Sequence, residues 1–466
     1  MMNGFMLVVS AVAAVGGFLY GYDTGIISGA LLAIAAQFKL GHTMQEMVAS
    51  AILVGALAGG LSSGWFSDRY GRRSTIIAIA AIFASGALAS SLAPGAVTLA
   101  LARVLLGLAV GASSQAVPTY IAEIAPAAHR GNLVAFFNVA IGIGITVASL
   151  IGYFLHDAWS WRWMIGIASV PATCMLVSML ALPETPRWLA SQDRVDEARA
   201  ALARVRREDA DTKGELEDIQ KITKATEKAR TRGWPGLAAG WVRPAVLCGL
   251  GIGAFTQLSG IEMMIYYAPT ILKGVGFGPS AALLAAIGIA VVYLVMTSIG
   301  LSLVDRLGRR RLSLLMIPGA VVSLLAFGAL FMLGLAGHGQ AWAVIGCLLV
   351  YMAFNSGGLQ VVGWLTGSEV YPLAVRGAGT SAQAGIVWGA DLLVTATTLS
   401  LIQYLGTGGT MWLYAAMNVL AFLFIWFLVP ETAGHSLEDI ETALHEDRFR
   451  PARGRDPQRE MEPAAA

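Results

Sequence analysis

Long apolar stretches alternate with short polar segments along nearly the whole chain. Stretches of roughly 20 residues, the length that a helix needs to cross the hydrocarbon core of a bilayer, form two sets of six, near 5–182 and near 243–429. Hydrophobic residues make up 56 % of the chain and charged residues 13 %, against about 25 % charged residues in a soluble protein. The pattern predicts an all-α membrane protein with twelve transmembrane helices.

Three charged motifs occur once in each half of the chain. The pairs are Asp68-Arg-Tyr-Gly-Arg-Arg73 and Asp305-Arg-Leu-Gly-Arg-Arg310, Glu123-Ile-Ala-Pro-Ala-Ala-His-Arg130 and Glu369-Val-Tyr-Pro-Leu-Ala-Val-Arg376, and Pro183-Glu-Thr185 and Pro430-Glu-Thr432. Duplicated apolar halves are typical of secondary transporters, whose membrane repeats enclose a site between them. We therefore expect two pseudo-symmetric six-helix bundles.

One long polar stretch separates the two halves. Within 186–242, apolar residues recur at helical spacing, which predicts amphipathic helices; they are Val195, Ala198, Leu202, Val205, Leu216, Ile219 and Ile222. We divide the chain into an N-terminal bundle (1–185), a cytoplasmic helical linker (186–242), a C-terminal bundle (243–430) and a cytoplasmic tail (431–466). A solvated linker is the alternative.

Basic residues concentrate in alternate loops. With both termini in the cytoplasm, 27 of the 31 Lys and Arg residues fall in cytoplasmic segments, as the positive-inside rule requires. The net charge of +2 therefore reflects topology and gives no reason to expect nucleic-acid binding. We expect a multi-pass plasma-membrane protein in contact with lipid, in a bacterial inner membrane, that acts as a monomer.

The cysteines and the polar motifs give no sign of an enzyme. Cys174, Cys248 and Cys347 lie in or beside apolar stretches without metal-type spacing. The chain shows no nucleophile with a base, no metal cluster and no phosphate-binding loop. We therefore expect neither a metal nor a cofactor.

Four charged residues fall inside the apolar stretches, where each charge costs a few kcal/mol even on lenient scales. They are Asp23, Arg103, Glu262 and Asp391. Asp23 and Arg103 can neutralise each other, and protonation of Asp23 would release Arg103 and change the preferred packing. This predicts a proton switch; a static buried pair without a role in turnover is the alternative.

Several motifs together resemble those of the sugar porter family of the major facilitator superfamily. They are Gly21-Tyr-Asp-Thr-Gly-Ile-Ile-Ser-Gly-Ala30, Ser67-Asp-Arg-Tyr-Gly-Arg-Arg73, Tyr120-Ile-Ala-Glu-Ile-Ala-Pro126, Pro183-Glu-Thr-Pro-Arg-Trp-Leu189 and Ile265-Tyr-Tyr-Ala-Pro269, and the resemblance covers about 15–442.

The resemblance implies import of a monosaccharide or related polyol with protons, by alternating access and with the proton gradient as energy source. Asp23 and Arg103 match the positions that proton-coupled members use for coupling. A uniporter and a non-transporting nutrient sensor are alternatives; the short tail and the intact Asp23–Arg103 motif argue against the sensor.

The resemblance also implies a substrate site, which consists of Asn138, Gln257, Glu262, Tyr266, Trp364, Trp388 and Asp391. The family pattern Gln-Gln-x-x-Gly-Ile-Asn reads Thr256-Gln257-Leu-Ser-Gly-Ile-Glu262 here, and Asp391 stands where Asn is frequent. Carboxylates accept hydrogen bonds from sugar hydroxyls or attract a cation. An aminosugar or inositol-like substrate is therefore an alternative.

A cytoplasmic gate is the last expectation. Its residues are Asp68, Arg72, Arg73, Glu123, Arg130, Glu184, Arg187, Asp305, Arg309, Arg310, Glu369, Arg376 and Glu431. We expect Asp68 to pair with Arg72 and Arg73, and Glu123 with Arg130, as exposed ion pairs worth about 0–1 kcal/mol each. The resemblance implies that they stabilise the outward-facing state.

Overall fold

The computed structural model describes residues 4–126, 130–156, 160–206, 212–228, 233–274, 276–335, 341–372, 374–435, 437–446 and 448–451. Within these ranges every regular element is a helix, which confirms the all-α prediction.

The N-terminal half supplies six apolar spans, the last of which is built from two consecutive helices. The helices are α1 (Gly4–Phe38), α2 (His42–Tyr70), α3 (Arg72–Ser91), α4 (Ala96–Ile124), α5 (Arg130–Leu155), α6 (Trp161–Gly166) and α7 (Ser169–Ala181). The polar segment that follows forms the short helices α8 (Pro186–Ser191), α9 (Val195–Val205), α10 (Thr212–Lys228) and α11 (Gly233–Gly236).

The C-terminal half contains spans that are broken within the membrane. Its helices are α12 (Arg243–Leu258), α13 (Ile261–Gly274), α14 (Pro279–Leu307), α15 (Arg309–Met332), α16 (Ala341–Gly357), α17 (Leu359–Glu369), α18 (Arg376–Leu428) and α19 (Leu437–His445). The pairs α12–α13 and α16–α17 each make one broken span. Non-helical backbone at membrane depth is tolerated only where protein or a polar cavity surrounds it.

The longest helix, α18, contains two membrane spans. Its 53 residues would extend about 80 Å at 1.5 Å per residue, whereas the hydrocarbon core is about 30 Å thick. The backbone leaves helical geometry at Gly406, where φ is 72° and ψ is 164°. With α18 divided at this glycine, the 11 apolar helical stretches of the described residues supply the twelve predicted spans.

The linker helices α8, α9 and α10 bury one apolar face. Ala198 and Leu202 on α9 are fully buried, and Leu216 on α10 is 4 % exposed, all in one cluster with α8. Arg206 Nη1 donates to the carbonyl oxygen of Ile124 at 2.7 Å and so ties the linker to the end of α4. The predicted apolar side chain of Ile222 lies outside the described part.

The described residues divide into two compact units. The first lies within Met1–Ile26 and Ala51–Arg230, and the second within Ile27–Ser50 and Thr231–Ala466. The last part of α1 and the first part of α2 therefore belong to the second unit. In that unit α19 packs through Ile440, Ala443 and Leu444 against the core formed by α12 and α18.

Candidate functional site

An ion pair is buried inside the first unit. Arg103 Nη2 on α4 lies 3.3 Å from Asp23 Oδ2 on α1, and the two side chains expose 0 % and 4 % of their surface. Arg103 Nε and Nη1 have no hydrogen-bond partner among the described residues, so Asp23 supplies the counter-charge for this guanidinium. The predicted pairing is confirmed, and its role in proton coupling stays a prediction.

Close backbone contact and one hydrogen bond hold the part of α1 that carries Asp23. A Cβ atom on Gly25 would lie 2.8 Å from the carbonyl oxygen of Ile145 on α5, so only glycine permits this approach. Tyr22 Oη donates to the carbonyl oxygen of Met164 at 2.7 Å. The sequence Gly-Tyr-Asp-Thr-Gly thus fixes how α1 is rotated and places the carboxylate beside α4.

The seventh span is broken between two of the predicted substrate residues. α12 ends at Leu258 and α13 begins at Ile261, and Gly260 between them has a φ of 93°, which favours glycine. Gln257 and Glu262 flank the break and are 0 % and 3 % exposed. Both amide atoms of Gln257 and Oε2 of Glu262 lack hydrogen-bond partners in the described part of the chain. Unpaired buried polar atoms are rare, so the break is a candidate ligand site.

A second carboxyl group lies near this break. Asp391 on α18 is 1 % exposed and accepts a hydrogen bond from Thr395 Oγ1 at 3.1 Å, and the carbonyl oxygen of Thr395 accepts from Tyr267 Oη on α13 at 2.8 Å. Trp388, one turn earlier on α18, is also 1 % exposed and has a flat apolar face of the kind that packs against sugar rings. The arrangement favours a ligand rich in hydrogen-bond donors.

The other predicted substrate residues differ in burial. Tyr266 on α13 is 2 % exposed and its ring centroid lies 6.4 Å from that of Tyr267. Trp364 on α17 and Asn138 on α5 are half-buried. The second unit holds Gln257 and the other predicted substrate residues, whereas Asn138 belongs to the first unit. The part of Asn138 in substrate binding stays a prediction.

An acidic and basic cluster connects α2, α3 and α4. Arg72 Nη2 lies 3.1 Å from Asp68 Oδ1 and 3.0 Å from Glu123 Oε1. Glu123 Oε2 also accepts a hydrogen bond from Thr185 Oγ1 at 2.6 Å. The threonine of the Pro-Glu-Thr motif thus completes the cluster that the Asp-Arg-Tyr-Gly-Arg-Arg motif begins.

The second copy of the motifs builds the same cluster between α14, α15 and α17. Arg309 lies 3.0 Å from Asp305 and 2.7 Å from Glu369, and Thr432 Oγ1 donates to Glu369 at 2.8 Å. This arginine–glutamate contact was not among the expected exposed pairs, and it is partly buried, since Arg309 and Glu369 expose only 15 % and 22 % of their side chains. Partial burial weakens solvent screening and strengthens such a pair.

The glutamates of the two Pro-Glu-Thr motifs bind the first backbone N–H groups of helices. Glu184 accepts from the first two N–H groups of α3, both at 3.1 Å, and Glu431 accepts from those of α15 at 2.7 and 3.1 Å. Gly71 and Gly308, with φ of 94° and 89°, precede these helices. A carboxylate at a helix N-terminus is favoured by the helix dipole. Burial nevertheless raises the pKa of Glu184, and the hydrogen bonds from backbone N–H groups act in the opposite direction and lower it.

The second arginine of each Arg-Arg pair lies away from the acidic cluster. Arg73 donates to two carbonyl oxygens near the end of α7, at 3.1 and 2.6 Å, and Arg310 donates to the Trp426 carbonyl near the end of α18 at 2.9 Å. The prediction that Arg73 pairs with Asp68 is therefore wrong. Carbonyl groups at a helix C-terminus lack intrahelical donors and carry partial negative charge, so they attract the guanidinium.

Three further gate residues have different surroundings. Arg376 Nε donates to the carbonyl oxygen of Tyr371 at 3.2 Å, and Arg187 is half-buried on α8. The side chain of Arg130 lies outside the described part, and the described partner of Glu123 is Arg72. The predicted Glu123–Arg130 pair therefore stays a prediction.

Two buried polar groups escaped the sequence reasoning. Glu46 on α2 is 3 % exposed and accepts hydrogen bonds from the backbone N and Oγ of Ser400, both at 2.7 Å. Glu46 lies at the edge of an apolar stretch, where a charge is ordinarily a loop residue. Asn418 on α18 donates to the carbonyl oxygen of Ser259 at the α12–α13 break, at 2.9 Å. An uncharged Asn in an apolar stretch gave no comparable signal.

Comparisons with known proteins agree with this architecture. The family model described as "Sugar (and other) transporter" matches residues 9–444. The D-xylose transporter of Levilactobacillus brevis is 40 % identical, with 92 % of this chain and 94 % of that protein covered. The galactose-proton symporter of Escherichia coli is 34 % identical, with 94 % of each chain covered.

A solved structure of a transporter has the same fold as this chain. The proton:xylose symporter XylE bound to 6-bromo-6-deoxy-D-glucose superposes with a TM-score of 0.80 at 27 % identity, covering 95 % of this chain and all of the other. The family model, the two relatives and the solved structure all match nearly the whole length of this chain. The chain therefore belongs to the sugar transporter family of the major facilitator superfamily and is a multi-pass membrane transporter.

Proposed function

We propose that the chain imports a neutral monosaccharide or related polyol together with protons, by alternating access. The observation that carries the proposal is the buried contact between Asp23 and Arg103. A fully buried guanidinium cannot lose its charge in a protein, so its surroundings must change when its carboxylate takes up a proton. Relatives named as a galactose-proton symporter and a D-xylose transporter support the same reaction.

The coupling follows from electrostatics. With Asp23 ionised, the pair with Arg103 stabilises the packing of α1 beside α4 that the structure shows. When Asp23 binds a proton, Arg103 loses its counter-charge, and packing arrangements that give the guanidinium other partners become more favourable. Proton binding thereby changes the relative stability of the two access states.

The substrate binds at the break of the seventh span. Gln257 offers an amide donor and an acceptor, and Glu262 and Asp391 offer acceptors, so sugar hydroxyls can satisfy the atoms left unpaired there. Trp388 packs against the C–H face of the ring. An amine-bearing polyol is the second candidate, because neither Glu262 nor Asp391 has an ion pair among the described residues.

The remaining features of the proposal concern the setting of the protein. It works as a monomer surrounded by lipid in the bacterial inner membrane, with both termini in the cytoplasm and without a cofactor, since the proton gradient supplies the energy. The arginine–glutamate clusters around Arg72 and Arg309 act as a cytoplasmic gate that stabilises the outward-facing state.

Substrate-induced proton movement tests the proposal. Purified protein in liposomes that contain a pH dye is given D-xylose, D-galactose, D-glucose, myo-inositol or D-glucosamine, with L-glucose and empty liposomes as controls. We expect at least one of these ligands to acidify the lumen as it enters. Entry of a sugar without a pH change would show a uniporter, and a response to D-glucosamine alone would favour the amine-bearing substrate.

A further inference from the structure

The break between α12 and α13 leaves backbone groups that must find partners. Ser259 and Gly260 interrupt the helix between Gln257 and Glu262. An unpaired carbonyl group at membrane depth costs several kcal/mol, so the side chains that satisfy it also hold the break in one conformation.

Side chains from two other helices supply those partners. The carbonyl oxygen of Ser259 accepts from Tyr351 Oη on α16 at 2.8 Å and from Asn418 Nδ2 on α18 at 2.9 Å. Ser259 Oγ accepts from Asn355 Nδ2 at 2.9 Å. The carbonyl is thus bound by two donors, both on side chains that are at most 1 % exposed.

Both amide hydrogens of Asn418 are used in hydrogen bonds. It is fully buried, and its amide nitrogen donates both to the Ser259 carbonyl and to the Tyr414 carbonyl of its own helix, at 2.9 and 2.8 Å. With both hydrogens used, the amide connects α18 to the break at one fixed distance.

The same region of α18 contacts the break a second time. A Cβ atom on Gly260 would lie 2.8 Å from the ring of Tyr414, and the Tyr414 hydroxyl is hydrogen-bonded to Thr398 Oγ1 at 2.9 Å. Thr398 lies two turns after Asp391 on the part of α18 before Gly406. The position of Glu262 relative to Asp391 therefore depends on contacts made by the second part of α18.

We infer that Asn418 is a positioning residue of the substrate site: by holding the Ser259 carbonyl, it sets where Gln257 and Glu262 lie. The inference rests on the proposed function. Asn418 does not itself need to touch the substrate. Its loss should reduce the affinity difference between a sugar and the deoxy analogue that lacks a hydroxyl group bound at the break. A general loss of stability would leave that difference unchanged.

The experiment compares ligand discrimination in three variants. Asn418→Leu removes the donor at similar volume, and Tyr351→Phe removes the other donor with a smaller disturbance. Thr410→Val is the matched control, because Thr410 is a fully buried residue of the same helix whose hydroxyl binds its own helix at Gly406. Binding is measured by calorimetry for the tightest sugar among D-xylose, D-galactose and D-glucose, and for its monodeoxy analogues.

In the wild type, at least one deoxy analogue should bind about tenfold or more weakly than the parent sugar, the effect of one lost buried hydrogen bond. In Asn418→Leu and Tyr351→Phe that ratio should fall toward unity at the same hydroxyl, whereas Thr410→Val should keep it. Unchanged ratios in Tyr351→Phe and in a folded Asn418→Leu would overturn the inference. If Asn418→Leu does not fold, Tyr351→Phe alone decides. If the wild type bound neither these sugars nor myo-inositol, that result would instead contradict the proposed function.

Discussion

Removing the charge of Asp23 should be far more harmful to stability than removing that of Arg103. At an effective dielectric constant of about 20, unit charges separated by the observed 3.3 Å attract each other by about 5 kcal/mol. Asp23→Asn abolishes this attraction and leaves a guanidinium that is 0 % exposed and cannot become neutral. The expected cost is about 3–5 kcal/mol, the range for a buried pair that loses one partner.

Removing Arg103 leaves the carboxyl group of Asp23, which can become neutral by binding a proton. In Arg103→Leu the remaining carboxyl group becomes neutral by binding a proton, so the loss is that of hydrogen bonding, about 1–3 kcal/mol. The double variant Asp23→Asn/Arg103→Leu contains no buried charge at this place and should be more stable than Asp23→Asn alone. The double-mutant cycle formed by these three variants and the wild type should therefore give a coupling energy that favours the Asp23–Arg103 pair.

Thermal unfolding in detergent measures this order. Tryptophan fluorescence reports unfolding of both units, because the 12 Trp residues of the chain are distributed over the two. We expect the melting temperature to fall most in Asp23→Asn, less in the double variant and least in Arg103→Leu. Equal melting temperatures for the two single variants would refute the reasoning, since they would show that the guanidinium has other means of neutralisation.

Three further predictions concern other charged side chains. Glu262→Gln should weaken binding of a neutral sugar by about 1–3 kcal/mol and of D-glucosamine by more in calorimetry; equal affinities for every ligand would remove Glu262 from the site. Glu46→Ala should lower the melting temperature because Ser400 loses both acceptor oxygens, while Glu46→Gln keeps an acceptor and should be nearly neutral; equal losses in the two would count against these hydrogen bonds. Arg309→Ala should speed thiol labelling of cysteines introduced near the inner mouth, and unchanged labelling would argue against a gate.

Much of the fold follows from the sequence because the bilayer imposes a simple length requirement. Apolar stretches long enough to span it identified the helices, and duplicated motifs identified the two halves. That α18 contains two spans also follows from length, whereas the position of its division at Gly406 comes from the backbone angles. Helix breaks such as that at Gly260 are harder to predict, since a glycine in an apolar stretch serves close packing as often as a break.

The charged members of the candidate site were predictable from the residues because a charge in the membrane has to be explained, whereas Gln257 and Trp388 followed from the family resemblance. Asp23 and Arg103 were paired in advance because each is costly in the membrane without the other. The prediction for Arg73 is wrong because carbonyl groups at the end of α7 compete with Asp68 for the guanidinium. Asn418 lies 159 residues from its partner Ser259, and no local pattern indicates such a contact.

Accumulation of substrate by Asp23→Asn tests the central claim most directly. Proteoliposomes with an imposed inward proton gradient are compared for net uptake above equilibrium and for exchange of labelled against unlabelled sugar, with activity expressed per folded, ligand-binding protein. The account predicts that Asp23→Asn still exchanges sugar but does not concentrate it, whereas the wild type does both. Concentration of sugar by Asp23→Asn to the wild-type level would contradict the account.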